Sequence, residues 1–492
     1  MIKTFKKIYQ NWKRKQVMRI FTQGDPLAIE KYGAKQLIPA FRRAATRVPA
    51  YAKLLKEKKV DLERIKNAQD FKAHVPVFAK KDFFVDRPIA DLCVDGDLSS
   101  MKLAVSSSGY SGIYSFGMGT AKSQKNITFA VDTTLEYFFH ISKKKTFLLN
   151  CLSMGVKVPT ELPLAETSVR SDMALGMIRH FSPYFEQILI VADPHFLKKL
   201  VEEGVEQGVR WKEMNVSLIA GDDWFSESFR NYLADLLGID FERPERGLIA
   251  STMGIGELDL NLFHESIDTI RIRQAAQKDP ILREKLFRKD ARVAPVLFHY
   301  YPHRVFLETT ENGELVFSML GLDSLIPLIR YNSCDQGIIL PYLKLKEILI
   351  ESGYEKLVPE LKLPLVAVSG RQGNHLILNE TKVTPEEVKE GLYADFKVAG
   401  LTTGYFKMSQ DGEKGKIEIQ LKKGVSKEGL QDSFEKALLK FSPVKLEVVL
   451  YLYEPLLQFL SPEPRSIHRF VALTVTIGLG ALAYGGIAWV LH

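Results

Sequence analysis

The chain has 492 residues, 46% hydrophobic and 26% charged, with a formal net charge of +8. That length and balance fit roughly two to four globular domains and exclude disordered, collagenous and disulfide-scaffold classes. Three scattered cysteines, Cys93, Cys151 and Cys334, argue against metal knuckles and point to a reducing compartment, while a mean hydropathy of -0.06 excludes a polytopic membrane protein and leaves room for one span.

Residues 1–24 carry Lys3, Lys6, Lys7, Lys13, Arg14, Lys15 and Arg19 with no acidic residue, so the remainder is close to neutral. A basic body for nucleic acid is therefore not expected. Ile2, Phe5, Ile8, Tyr9 and Trp12 recur at three- and four-residue steps. The spacing predicts a cationic amphipathic helix suited either to an anionic bilayer surface or to packing on the protein's own body.

Helical periodicity continues over 26–71, with Pro39 and Pro49 expected to interrupt it. From residue 98 short strands and helices alternate. Gln187–Ala192 and Val216–Ala220 read as strands, Asp193-Pro194 as the start of a helix after the first, and a second helix is expected to follow Val216–Ala220 and run through Leu237. This alternation predicts an α/β fold with a mostly parallel sheet, whose ligands gather at the C-terminal ends of the strands. After Gly370-Arg371-Gln372-Gly373 a smaller α+β unit is expected, with helices 385–394 and 427–440 and strands 417–421 and 446–450. Residues 470–491 contain no charge and would make a helix of about 33 Å, enough to span a bilayer. Arg465, His468 and Arg469 precede that span and His492 alone follows it. The positive-inside tendency therefore predicts one C-terminal pass with the soluble body facing the cytoplasm.

The most polar loop is Ser106-Ser-Ser-Gly-Tyr-Ser-Gly112, whose hydroxyls and backbone N–H groups suit a phosphate, although no Walker lysine follows. With Arg47-Val-Pro-Ala-Tyr51, Val75-Pro-Val-Phe-Ala-Lys-Lys-Asp82, Met253-Gly-Ile-Gly-Glu257, Gly313-Glu-Leu-Val-Phe-Ser318 and Pro327-Leu-Ile-Arg-Tyr-Asn-Ser-Cys-Asp335, this loop resembles the adenylate-forming enzymes, specifically the phenylacetate–CoA ligase branch. The ordered similarities span roughly residues 40–465. They imply a large AMP-binding domain over 25–369, a small mobile domain over 370–462 and a hinge at Gly370-Arg371.

The resemblance implies that ATP, Mg2+ and CoA are used to convert a carboxylic acid, lipophilic if drawn from a bilayer, through an acyl-adenylate into a thioester. Ser107, Ser108, Gly109, Ser111 and Gly112 would cradle phosphates, and Met253 and Gly254 would border adenine. Glu257 would hold the magnesium, since a hard cation prefers carboxylate oxygen. Asp335 would take the ribose hydroxyls, Arg330 would pair locally, and Arg371 with Arg469 would supply charge to the reaction. The lysine of the family's phosphate loop falls on Ile113, with Lys122 or Lys125 as candidate substitutes. Arg469 has a competing role as a headgroup anchor. Two alternatives stay open: a degenerate homologue that binds nucleotide or a partner at the membrane, and acyl transfer to a protein or amine. Membrane lipid is an expected partner; no protein partner can be read.

Overall fold

A computed structural model describes residues 2–106, 113–153, 156–287 and 291–454, without the side chains of 2–7, 259 and 260. The serine-rich segment 107–112, Arg469 and the apolar run 470–491 lie outside the described residues. Among the described residues no helix is long and apolar enough to cross a membrane.

The helix Ile2–Gln23 forms as the periodicity predicts and docks by one face only. Arg14 is buried and donates to Asp132 Oδ2 at 2.8 Å, while Phe21 packs on Tyr301 with ring centroids 5.4 Å apart. Its other face leaves Ile8, Tyr9 and Trp12 exposed, so packing on the body and an apolar outer stripe coexist. The next helix, Pro26–Arg47, runs straight through Pro39 where an interruption was expected. A proline inside a helix costs about 3 kcal/mol. The buried face of Leu37, Ala40, Phe41, Ala44 and Ala45 outweighs that cost, each fully burying an apolar side chain the size of Leu or Phe contributing about 1.5–3 kcal/mol. Pro49 instead opens its own helix, Pro49–Glu57.

Strands β1 (Met101–Ser106) and β2 (Phe116–Thr120) pair antiparallel on either side of residues 107–112. The main sheet then begins with β3 (Thr146–Asn150), β4 (Leu164–Glu166), β5 (Gln187–Ala192), β6 (Val216–Ala220) and β7 (Ile249–Ile255). These five pair only in parallel with one another, with helices Pro194–Glu206 and Glu227–Leu237 as crossovers. Beyond them come β8 (Asp259–His264), β9 (Val296–Tyr300), β10 (Val305–Thr309), β11 (Glu314–Met319), β12 (Tyr331–Leu340) and β13 (Leu365–Arg371). The sheet order is β10-β11-β12-β13-β9-β8-β7-β6-β5-β3-β4, and every pairing from β7 to β10 is antiparallel. The expected mostly parallel sheet is thus only half of the structure. Connections as short as the one between β7 and β8 allow a hairpin but not a crossover.

The small lobe contains β14 (Leu376–Leu378), β15 (Thr381–Val383), helix Pro385–Tyr393, helix Phe396–Leu401, β16 (Thr402–Asp411), β17 (Lys414–Leu421), helix Gln431–Leu439 and β18 (Glu447–Tyr451). Its core is continuous with that of the parallel half: Leu197, Trp211 and Leu233 belong to one apolar cluster with Tyr393, Phe406 and Ile417. Buried charge crosses the same boundary. Lys198 Nζ donates to Glu202 and to the Thr402 carbonyl, both at 2.7 Å, and burial lowers its pKa to about 8.

Candidate nucleotide site

Because β5, β6 and β7 run parallel, the residues that follow them share one edge of the sheet: Asp193 after β5, Asp222 and Asp223 after β6, and Glu257 after β7. That edge is where open α/β sheets collect ligands. Met253 and Gly254 lie in the last turn of β7, where the register against β8 shifts between Met253 and Ile255. Such an irregularity re-aims side chains next to a site. Gly254 is exposed, and Glu257 is 7% exposed.

Asp335 and Arg371 arrive from the antiparallel half, where they are direct cross-strand partners of β12 and β13. Arg371 Nε donates to Asp335 Oδ1 at 3.1 Å, and the Asp335 backbone N–H donates to Ser333 Oγ at 3.2 Å. The second carboxylate oxygen, Oδ2, is buried with no hydrogen-bond partner among the described residues. Burial raises the Asp335 pKa, an effect that Arg371 only partly offsets; the Arg371 guanidinium is held protonated chiefly by Asp335.

One hydrogen bond joins the two groups. Tyr331, at the start of β12, donates its hydroxyl to Glu257 Oε1 at 2.5 Å. Four strand steps separate β12 from β7, roughly 19 Å in a flat sheet. The antiparallel half must therefore curl back over the end of β7, which brings Asp335 and Arg371 to Glu257. Arg330, the residue before, holds this turn at φ 49 and donates to Glu308 and to the carbonyls of Lys72 and Val75.

The segment Val75-Pro-Val-Phe-Ala-Lys-Lys-Asp82 carries a residue that sequence reasoning missed. Phe78 bridges to Tyr331 in parallel, its N–H donating to the Arg330 carbonyl and its own carbonyl accepting from Asn332, both at 2.9 Å. Two residues on, Lys80 opens the helix Lys80–Phe84 and is electrostatically coupled to both Glu257 and Arg371. Burial lowers its pKa, with Glu257 opposing the shift. Lys122, by contrast, pairs with Asp323 at 2.6 Å on an exposed surface, where it lines a 560 Å³ cavity with Arg43 and Arg47. Lys122, which the sequence offers together with Lys125 as a substitute for the loop lysine, is thus paired with Asp323, while Lys80 is electrostatically coupled to the Glu257 carboxylate.

The strands that flank the serine-rich segment border the same edge. A Cβ on Gly117 of β2 would lie 2.0 Å from the Gly256 carbonyl oxygen, so the hairpin backbone rests on the residue preceding Glu257. Only glycine permits that approach.

Sequence reasoning also missed Asp222 and Asp223, although a polar pair between a strand end and a helix is the expected place for a ligand contact. Asp222 sits at φ 75 and is electrostatically coupled to Arg371; burial is the main cause that raises its pKa to about 6. Gly370 has φ 103 and lies against Glu386 of the small lobe, where a Cβ would meet Oε1 at 2.3 Å. The segment expected to be a hinge is thus the paired end of β13, followed by a turn through Gly373 at φ 84.

No group of three or more His, Cys, Asp or Glu able to hold a metal occurs among the described residues. Glu257 therefore fits a magnesium site only if phosphates and water supply the other ligands, as Mg2+ bound through one or two carboxylates does. The orphaned Asp335 Oδ2 fits a hydroxyl donor.

No family model and no curated protein matches the chain by sequence. Solved structures do match. The chain is similar to 2-hydroxyisobutyryl-CoA ligase in its postadenylation state with 2-HIB-AMP, at 13% identity and TM-score 0.64 over 92% of this chain and 89% of that one. The same enzyme with R3-HIB-AMP gives 12% identity and TM-score 0.65 over the same shares. With 2-HIB-AMP and CoA in the thioesterification state it gives 11% and 0.53 over 92% and 91%. The chain has the fold of the AMP-forming acyl-CoA ligases, the adenylate-forming fold.

Proposed function

We propose that this protein activates a carboxylic acid with MgATP and transfers the acyl group to CoA. In the first step a carboxylate oxygen attacks the α-phosphorus and pyrophosphate leaves; in the second the CoA thiol attacks the acyl carbon, loses its proton and displaces AMP. The observation that supports this best is the convergence of Glu257, Asp335, Arg371 and Lys80 through the Tyr331–Glu257 hydrogen bond, on the sheet edge where the fold's ligands collect. Asp335 Oδ2 accepts from a ribose hydroxyl. Glu257 takes the magnesium, and Tyr331 fixes the rotamer of that carboxylate. Lys80 and Arg371 supply the positive charge that the phosphate loop lacks at Ile113. Ser107, Ser108, Gly109, Ser111 and Gly112 complete the phosphate cradle from the β1–β2 hairpin, and Met253 and Gly254 flank the base. The motifs favour the phenylacetate–CoA ligase branch.

We further propose that the body faces the cytoplasm from a membrane, held by the span 470–491 with Arg469 at the headgroups and by the basic helix Ile2–Gln23. The uncharged length of the first and the exposed Ile8, Tyr9 and Trp12 of the second support this. The full chain, supplied in nanodiscs with ATP, Mg2+ and aryl, medium-chain or long-chain acids, is expected to release pyrophosphate, and to form a thioester when CoA is added. Binding of MgATP without pyrophosphate release from any acid would favour the non-catalytic homologue, a reading that Ile113 in place of lysine alone supports.

A further inference from the structure

The small lobe grips the large one at a point that borders the nucleotide site. Its helix Pro385–Tyr393 is buried along its whole length although it carries Glu386, Glu387, Lys389 and Glu390. Lys389 Nζ donates to Asp223 Oδ2 at 2.5 Å and to the Trp224 carbonyl at 3.5 Å. The next residue, Glu390, accepts from the Glu227 and Ser228 N–H groups at 2.8 and 2.9 Å, capping the helix Glu227–Leu237. Two neighbouring side chains thus hold both ends of the segment 223–228. Just before this segment Asp222 is held in a left-handed conformation, which non-glycine residues adopt only when the surroundings enforce it. Asp222 is electrostatically coupled to Arg371, and Trp224 packs in the cluster that contains Met253. His195 lies 3.8 Å from Asp223 and stacks on Tyr405 of the small lobe with centroids 4.3 Å apart, so this corner is filled from both lobes.

We propose that Lys389 is a positioning residue: its ion pair with Asp223 fixes the turn 221–224 against the nucleotide. The inference rests on the acid-activation reading, because it assumes that a nucleotide occupies the cluster of Glu257, Asp335 and Arg371. A purely apolar contact would hold the lobes together equally well; a buried ion pair adds a fixed register.

The test is equilibrium binding of MgATP to the full chain by calorimetry, alongside thermal melting. Lys389→Met is expected to weaken MgATP about tenfold, the equivalent of one charge-assisted hydrogen bond. Lys389→Arg is expected to recover most of that loss. Arg292→Met removes the contact of Arg292 with Glu387 on the same helix without touching the turn, and is expected to bind within about twofold of wild type. Asp223→Asn perturbs the pair from the other lobe and carries the same tenfold expectation if Lys389→Met does not fold. Equal losses in Arg292→Met and Lys389→Met would mean a merely structural contact and overturn the proposal. So would unchanged binding in Lys389→Met and Asp223→Asn by a chain whose wild type binds MgATP. A wild type that binds no MgATP would instead remove the acid-activation reading itself, and the clamp with it.

Discussion

Replacing Asp335 by asparagine separates nucleotide binding from folding, because the two should move in opposite directions. In the folded chain Oδ1 accepts from Arg371 and Oδ2 is buried without a hydrogen-bond partner among the described residues. The raised pKa of this carboxyl, driven by burial, means that the folded state holds its proton more tightly than the unfolded state does. The stabilisation from a raised carboxyl is fully present below the unfolded value of about 3.9 and is lost as pH rises through the folded value. At neutral pH the ionised group is therefore a cost to the empty protein. Asparagine removes that charge, keeps an oxygen for Arg371, and should leave folding stability within about 1 kcal/mol of wild type or above it. Nucleotide affinity should fall instead. A ribose hydroxyl donating to a carboxylate is worth about 1.5–3 kcal/mol, or roughly 10–150-fold in Kd. Calorimetric titration with MgATP and urea unfolding of the same preparations measure the two quantities. Lower stability with full affinity for MgATP would refute the reasoning and make Asp335 a structural partner of Arg371.

Lys80→Met should slow pyrophosphate release by about 10²–10³, the usual cost of losing one donor at a developing charge, while shifting the melting temperature little; an unchanged rate would remove Lys80 from the reaction. Burial lowers the His264 pKa to about 3, so between about 6.5 and 3 the unfolded chain binds a proton that the folded chain does not, and stability falls as pH falls through that window. His264→Phe, which keeps an aromatic ring against Tyr301, should make the acid limb of stability shallower by about 1.4 kcal/mol per pH unit; an unchanged slope from urea midpoints would contradict the burial argument. Arg14→Met leaves Asp132 buried with Thr160 and the Glu161 N–H as its partners among the described residues, and should cost about 3–5 kcal/mol in denaturant unfolding. Protease cleavage within Ile2–Gln23 should rise in parallel, and unchanged cleavage would mean that Phe21 alone docks the helix.

Local order was largely legible in the chain. Strands Gln187–Ala192 and Val216–Ala220 were readable to the residue, because short apolar runs bounded by polar turns have few other solutions. Asp193 caps its helix as expected, accepting from Phe196 N–H at 2.9 Å. Pro39 was misread because a local penalty was weighed without the buried face that outweighs it. The antiparallel half was missed because its strands read like those of the parallel half, and pairing direction depends on connections rather than on composition.

The resemblance of their motifs to those of the adenylate-forming enzymes marked Glu257, Asp335 and Arg371 as candidates, since those motifs are contiguous strings whose spacing survives in one dimension. The coupling of Lys80 to Glu257, the Lys122–Asp323 pair and Lys389 reaching Asp223 from the other lobe could be settled only in three dimensions. Each pairs residues far apart in the chain, and which cation meets which carboxylate is decided by how the sheet curls and where the small lobe docks, neither of which leaves a periodic trace in the sequence.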